Sequence, residues 1–276
     1  MSWMQLLCDT YDACREYVGI MPPQGKAPLL PLYHTTQQAH LEVAVDVEGR
    51  WCPGRSRVVI DKADRTTIIP CTEASAGRTS SPDPHPLFDK LQYVAGDYAL
   101  YGPEKRYAYP AYIAALRKWC ASPCADARVC AVLTYLERGC LIDDLAKEGL
   151  LYRTPEGDIP EKWTGGTGDK PAIFDASANQ LDAFVRFKVY GGGGENPNLW
   201  EDDAVRQSWI AYQNSLDAEH DTCYVQGEML PVSRLSPRNI RRAGDGAKLI
   251  SSNDMTGFTF RGRFEEAREA VSVGRE

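Results

Sequence analysis

Residues 183–190 read Ala-Phe-Val-Arg-Phe-Lys-Val-Tyr, and their regular alternation predicts a β-strand. Val185, Phe187 and Val189 would lie on one face, with aromatic and basic side chains on the other. Residues 41–47 read Leu-Glu-Val-Ala-Val-Asp-Val and predict a second strand, half-buried because every other position is apolar. Shorter apolar runs occur at 57–60 and 66–69. The first quarter of the chain is therefore predicted to be rich in strands.

Helical patterns follow in the middle of the chain. A block at 104–148 has an apolar face and is interrupted by Ser122 and Pro123. Residues 2–18 predict an amino-terminal helix, and 200–216 predict the best-defined helix of the chain. Strands, then helices, then strands again are typical of an α+β protein, here a β-rich domain with a central helical block.

The remaining segments carry weaker signals. Residues 72–90 are rich in turn formers, which predicts a long loop that is either functional or flexible. The aromatic-rich residues 91–101 are expected to be extended, and 154–180 are expected to form a polar connector. Residues 222–225 and 229–232 flank a short polar turn and predict a hairpin.

We expect one domain over residues 1–276. Its predicted parts are a β-rich part with the long loop at 1–103, the helical block at 104–150, and a strand–helix–β part at 180–276 that contains a basic segment.

Composition limits the class of protein. The 276 residues carry a net charge of −7 and nine cysteines, an odd number without the spacing of a disulfide scaffold. No apolar run approaches the roughly 20 residues of a membrane helix. The first residues lack the basic region of a secretory signal. We therefore expect a cytoplasmic protein with free thiols and no membrane partner.

Enzymatic motifs are missing from the sequence. None of the four histidines is spaced with cysteine as a metal ligand, and Cys120 and Cys124 are better explained as buried thiols than as a zinc site. The glycine-rich residues 165–170 lack the spacing of a phosphate loop. We expect no enzyme, cofactor or metal.

A basic stretch near the carboxy terminus is the main binding candidate. Between Arg234 and Arg263 cations far outnumber acids, and Phe258 and Phe260 interleave with arginines. Arginine beside an aromatic ring suits phosphates and stacked bases. Pairing of these arginines with surface carboxylates explains the charge equally well. The candidate residues here are Arg241, Arg242, Lys248, Asn253, Arg261 and Arg263.

Two further segments are weaker candidates. Arg78, Thr79 and Ser80 in the long loop could donate to phosphates or base edges, although a loop pinned by prolines explains them as well. The strand face with Arg186 and Lys188 is a second basic surface, for which an ordinary exposed sheet face is the simpler interpretation.

Several ordered motifs carry a family resemblance. Residues 223–228 read Cys-Tyr-Val-Gln-Gly-Glu, 244–254 read Gly-Asp-Gly-Ala-Lys-Leu-Ile-Ser-Ser-Asn-Asp, and 257–264 read Gly-Phe-Thr-Phe-Arg-Gly-Arg-Phe. Earlier stretches at 6–12 and 28–34 and the run at 84–98 agree in the same order. Together these motifs resemble the large subunit of the type I-C CRISPR interference complex, Cascade.

The resemblance implies a non-enzymatic role. It implies recognition of the protospacer-adjacent motif and stabilisation of the opened target, the R-loop, while guide RNA reads the sequence. The implied partners are double-stranded target DNA, the CRISPR guide RNA, other Cascade subunits and a helicase-nuclease recruited later. The alternatives are an assembly module that docks the 5′ handle of the guide RNA and a backbone subunit, or, in a different class, a nuclease.

The chain also departs from the family pattern. Ser236 stands where relatives often have histidine before Pro237, so no role of that histidine is transferred. The resemblance further implies that this chain corresponds to the amino-terminal half, without the family's carboxy-terminal helical bundle.

Overall fold

The computed structural model describes residues 3–23, 26–78, 83–191, 196–233, 246–248, 250, 269 and 271–275. Its strands are β1 (His34–Gln38), β2 (Leu41–Asp46), β3 (Arg57–Val58), β4 (Thr66–Pro70), β5 (Asp89–Lys90), β6 (Phe184–Tyr190), β7 (His220–Thr222), β8 (Met229–Ser233) and β9 (Val273–Gly274).

The α-helices are α1 (Trp3–Ala13), α2 (Lys62–Arg65), α3 (Glu73–Ala76), α4 (Leu91–Val94), α5 (Tyr98–Tyr101), α6 (Tyr109–Cys120), α7 (Ala127–Leu136), α8 (Leu141–Lys147), α9 (Ile173–Ala176) and α10 (Asp203–Ser215). Short 3₁₀ turns lie at Arg15–Tyr17, Glu104–Arg106, Thr167–Asp169 and Gln180–Asp182. The mixture of helices and strands confirms the α+β class.

A four-stranded sheet in the order β3-β2-β6-β5 organises the fold. Its two central strands, β2 and β6, run parallel, with Leu41 opposite Val185 and Asp46 opposite Tyr190. β3 and β5 flank them in antiparallel orientation. The first and third predicted parts of the chain thus share one sheet.

The central position of β2 corrects one prediction. Leu41 to Val45 are all buried, including Glu42, whereas alternation had predicted a half-buried strand. A parallel pair is normally covered on both faces, so the polar positions are covered too. Val47 lies outside the strand and is exposed. β6 was predicted almost to the residue, but on its Arg186 side Phe184 and Arg186 are buried and only Lys188 and Tyr190 are partly exposed.

Helices α4, α6 and α7 pack in one core with the sheet and α10. Trp119 of α6 and Trp209 of α10 meet edge to face, with ring centroids 4.8 Å apart. The predicted break at Ser122 and Pro123 separates α6 from α7, and the predicted helix at 200–216 is α10. Large buried rings therefore join the helical block to the later helix.

Two segments differ from their predictions. Residues 91–101 form α4 and α5 rather than an extended run, because the side chains of Leu91, Tyr93 and Tyr98 turn into the core. The connector at 154–180 contains α9, and its Ile173 is buried. In both cases tertiary burial, rather than local propensity, decides the conformation.

The two ends of the described chain agree with prediction more closely. α1 begins near the predicted start but ends at Ala13 rather than at residue 18, and it buries none of its residues. β7 and β8 form the predicted hairpin, with Thr222 opposite Met229, and β9 extends it. Gly227 in the turn has φ +75°, a conformation that favours glycine.

Candidate nucleic-acid interface

A cleft of about 420 Å³ opens beside β2 and β6. Residues Met21, Pro22 and Pro23 form one wall, and α2 contributes Lys62 and Asp64 to its lining. α2 is held in place by Arg65, whose guanidinium donates to the carbonyls of Val59 and Ile60 and to those of Asp175 and Ala176. Backbone contacts therefore fix the wall that faces the sheet.

Strand register assembles the charged part of the cleft. Glu42 of β2 lies opposite Arg57 of β3 on one side and opposite Arg186 of β6 on the other. Residues paired across neighbouring strands point to the same face of a sheet. Lys188, two positions after Arg186, shares that face. One carboxylate thus faces three cations from three strands.

All three cations bond to Glu42. Its oxygens lie 2.8 and 2.9 Å from the Arg57 guanidinium, 2.5 Å from Nη2 of Arg186 and 2.5 Å from Nζ of Lys188. Burial alone would raise the pKa of Glu42, but the hydrogen bonds from Arg57, Lys188 and Arg186 lower it to about 2. Glu42 is therefore ionised at neutral pH and carries the negative charge at the centre of this group.

Trp200 covers the inner end of the cluster. The Arg186 guanidinium carbon lies 4.0 Å from the centroid of its ring and Nζ of Lys188 lies 5.7 Å away. The Trp200 carbonyl accepts from Arg206, and its indole N–H donates to Glu201. A fixed aromatic face beside two cations supplies a cation–π contact and limits their movement.

The cleft is basic although the chain is acidic. Five cationic and three acidic side chains line it, whereas the whole chain has a net charge of −7. The five cations are Lys26, Arg57, Lys62, Arg186 and Lys188. A local excess of cations on an acidic protein favours an anionic ligand at this place.

The model of the family described as CRISPR-associated protein (Cas_Csd1) matches residues 7–276. The chain belongs to this CRISPR-associated family. No curated protein gives a significant match. Membership confirms the coarser part of the resemblance, a CRISPR-associated protein.

In this Cas_Csd1 protein, Arg78 serves as a buried ion-pair partner. Its two terminal nitrogens lie 2.7 and 2.6 Å from the oxygens of Asp89, and it also donates to the Asp83 carbonyl. Its guanidinium carbon lies 4.3 Å from the centroid of the Tyr93 ring. The side chain of Arg78 is 13% exposed and that of Asp89 is fully buried. These contacts give Arg78 a structural task, and DNA reading by Arg78 stays a prediction.

Most of the other predicted contact residues lie outside the described residues. These are Thr79, Ser80, Arg241, Arg242, Asn253, Arg261 and Arg263. Lys248 is described and half-buried, and it does not line the cleft. Nucleic-acid binding by any of them remains untested.

The cleft was not predicted from the sequence, although β6, one of its strands, was considered as a binding surface. The face with Arg186 and Lys188 was a second candidate, whereas Glu42 and Arg57 were not singled out. A glutamate within an apolar strand is a weak signal by itself. Glu42 and Arg186 are 144 positions apart, so only the pairing of β2 with β6 brings them together.

The described part of the chain was also searched for metal sites, membrane-spanning helices and disulfides. Within it, no group of three or more histidine, cysteine or acidic side chains is placed to hold a metal ion. No described helix is both long and apolar enough to cross a membrane. All nine cysteines are free thiols.

Proposed function

We propose that the chain is a non-enzymatic subunit of a type I-C Cascade complex that recognises the protospacer-adjacent motif and stabilises the opened target DNA. The basic cleft in an otherwise acidic CRISPR-associated protein is the observation that carries the proposal. Its partners would be target double-stranded DNA, guide RNA, other Cascade subunits and a helicase-nuclease recruited after target binding.

RNA-guided effectors divide target recognition between RNA and protein. In RNA-guided recognition, base pairing reads most of the target, and protein reads only a short motif and holds the backbone. Backbone contacts need lysine and arginine at fixed positions. Arg57 and Lys188 meet that requirement, since strand pairing and one shared carboxylate fix them, and the buried Arg186 adds positive charge beneath them.

The test is DNA binding by the reconstituted guide-RNA complex, with and without the chain. The duplexes should differ only in the adjacent motif. We expect the chain to raise affinity for one motif by about tenfold or more over the others, the discrimination of one good base contact. An equal gain on every duplex would contradict motif recognition, and no gain would contradict DNA binding altogether.

A second candidate function, an assembly module, is favoured by α1. Trp3, Leu6 and Leu7 of this helix are about half exposed, and α1 buries none of its residues. A contiguous apolar patch that is exposed on one helix face usually indicates a protein contact. Docking on a backbone subunit would cover this face.

Substitution of α1 separates the two functions. Leu6→Asp with Leu7→Asp should abolish incorporation into the reconstituted complex if α1 docks there, as measured by co-elution in size-exclusion chromatography. Leu100→Asp is the matched control, because Leu100 is 76% exposed on a different helix. Normal incorporation of the α1 variant would show that α1 is not the docking surface.

A further inference from the structure

The cations around Glu42 outnumber the carboxylates that balance them. Arg57, Arg186 and Lys188 all bond to the one buried carboxylate, and Asp64 lies 4.0 Å from Nη2 of Arg57. Charges of like sign held this close repel one another unless anions neutralise them. With Lys26 and Lys62, five cations line the cleft against the three carboxylates of Glu42, Asp64 and Glu201, which leaves an excess of two positive charges.

The exposed parts of the cluster face the opening. Arg57 is 54% exposed and Lys188 is 15% exposed, whereas Arg186 is almost fully buried under Trp200. An incoming anion can therefore reach donors of Arg57 and Lys188, while Arg186 contributes charge from below. The neutral wall of Met21, Pro22 and Pro23 gives an apolar part of the same ligand a surface to pack on.

The cleft has the size of a site for a small ligand or for one unit of a nucleic-acid strand. Its volume of about 420 Å³ falls in the usual range for small-molecule pockets, about 300–1,000 Å³. Volumes of this order hold a nucleotide unit, with an anionic and an apolar side.

We propose that this cleft binds one phosphodiester group of a single nucleic-acid strand, and that Glu42 is a built-in anion with which the phosphate competes for Arg57 and Lys188. The inference rests on the proposed function, because it assigns a nucleic-acid strand to a site of the same chain. Glu42 holds the cations in place in the empty protein and weakens the binding of phosphate. Glu42 thereby lowers the affinity of the cleft for a strand without contacting the strand itself.

Two substitutions in the cleft have opposite expected effects. Glu42→Gln keeps size and hydrogen-bonding atoms but removes the competing charge, so binding of a strand should tighten by about fivefold or more. Lys188→Gln removes a phosphate donor, so binding should weaken by about fivefold and the salt dependence should fall by about 0.7 in logarithmic slope. Glu156→Gln and Lys118→Gln are the matched controls, since both residues are exposed and lie outside the cleft.

The experiment measures binding of end-blocked tetranucleotides to the full chain by fluorescence anisotropy over a series of salt concentrations. Oligo-dT and oligo-rU arms distinguish DNA from RNA as the source of the strand. An uncharged methylphosphonate oligomer tests the phosphate, and a tetra-aspartate peptide tests an acidic protein partner. Preference for either charged oligonucleotide, together with opposite shifts for Glu42→Gln and Lys188→Gln, supports the proposal.

Five results would overturn it. They are equal binding of the methylphosphonate, tighter binding of the peptide, a Lys188→Gln variant that behaves like Lys118→Gln, a folded Glu42→Gln variant that binds no more tightly than Glu156→Gln, and no binding by the wild type. If Glu42→Gln fails to fold, Lys188→Gln tests the phosphate contact, because Lys188 is less deeply buried. Glu42→Asp then replaces Glu42→Gln, because its shorter carboxylate should release the cations in part and tighten binding. The assay contains no guide RNA and no adjacent motif. A negative result would therefore contradict strand binding in the cleft but not motif recognition by the complex. A negative result in the motif assay would likewise not contradict strand binding in the cleft.

Discussion

Glu42 and Arg186 are register partners on neighbouring parallel strands, and Nη2 of Arg186 lies 2.5 Å from Oε1 of Glu42. Neither side chain is exposed by more than 4%. A buried ion pair of this kind is expensive to break, because the remaining charge has no water to solvate it. The sheet and the cleft therefore depend on the same contact.

Loss of the Glu42 carboxylate should destabilise the protein. We expect Glu42→Ala to lower the free energy of unfolding by about 3–5 kcal/mol, the usual cost of leaving a buried charge unpaired. Urea denaturation followed by circular dichroism measures this. Glu156→Ala is the exposed control and should change stability by about 0.5 kcal/mol or less. Equal stability of the two variants would show that Glu42 does not hold the strands together.

Arg78→Ala should also act through stability, because it leaves the fully buried Asp89 without its cation. We expect a loss of about 3–5 kcal/mol in urea denaturation. Replacing both partners, as Arg78→Met with Asp89→Leu, should recover part of it, since an apolar pair of similar volume leaves no unpaired charge. An Arg78→Ala variant with wild-type stability and poorer discrimination between motifs would instead favour a direct reading role for Arg78.

Trp209 joins α10 to the helical block through its contact with Trp119. Trp209→Ala should cost about 3–5 kcal/mol, because it removes a buried ring and leaves a cavity. Trp3→Ala is a matched control, since Trp3 is 56% exposed, and should leave stability nearly unchanged. Thermal denaturation compares the two. A similar melting temperature for both variants would mean that the Trp119 contact contributes little.

Acid should destabilise the protein through its buried histidines. Burial lowers the pKa of His34, His40 and His85 from 6.5 to about 4 in the folded chain. The unfolded chain therefore binds more protons between pH 6.5 and 4, so the stability present above pH 6.5 falls as the pH drops through this window.

Urea midpoints at pH 7.0, 5.5 and 4.5 measure that decline. His85→Gln should make it shallower, because one buried imidazole no longer resists protonation. His220→Gln is the control, since His220 is exposed on β7. A pH dependence identical in wild type and His85→Gln would exclude His85 as a contributor.

Much of the local structure was predictable from the sequence. The period of two over 183–190 predicted β6, and the apolar stripe of 200–216 predicted α10, because these patterns report which side of an element is buried. The turn residues between 225 and 229 predicted the hairpin of β7 and β8. The prediction for residues 91–101 was wrong, because an aromatic-rich composition is typical both of strands and of buried helices. Tyr93 and Tyr98 are buried in α4 and α5.

The sequence by itself determined the α+β class, the acidic net charge, the principal strands and helices, and membership of a CRISPR-associated family. Tertiary structure decided the cleft. Arg186 is 144 positions from Glu42, and only the parallel pairing of β2 with β6, together with the antiparallel pairing of β3, places both on one face with Arg57. Local patterns report the period of a single segment, whereas the partner of a strand depends on packing over the whole chain. That is why Arg78 could be singled out from its loop, while its burial against Asp89 could not.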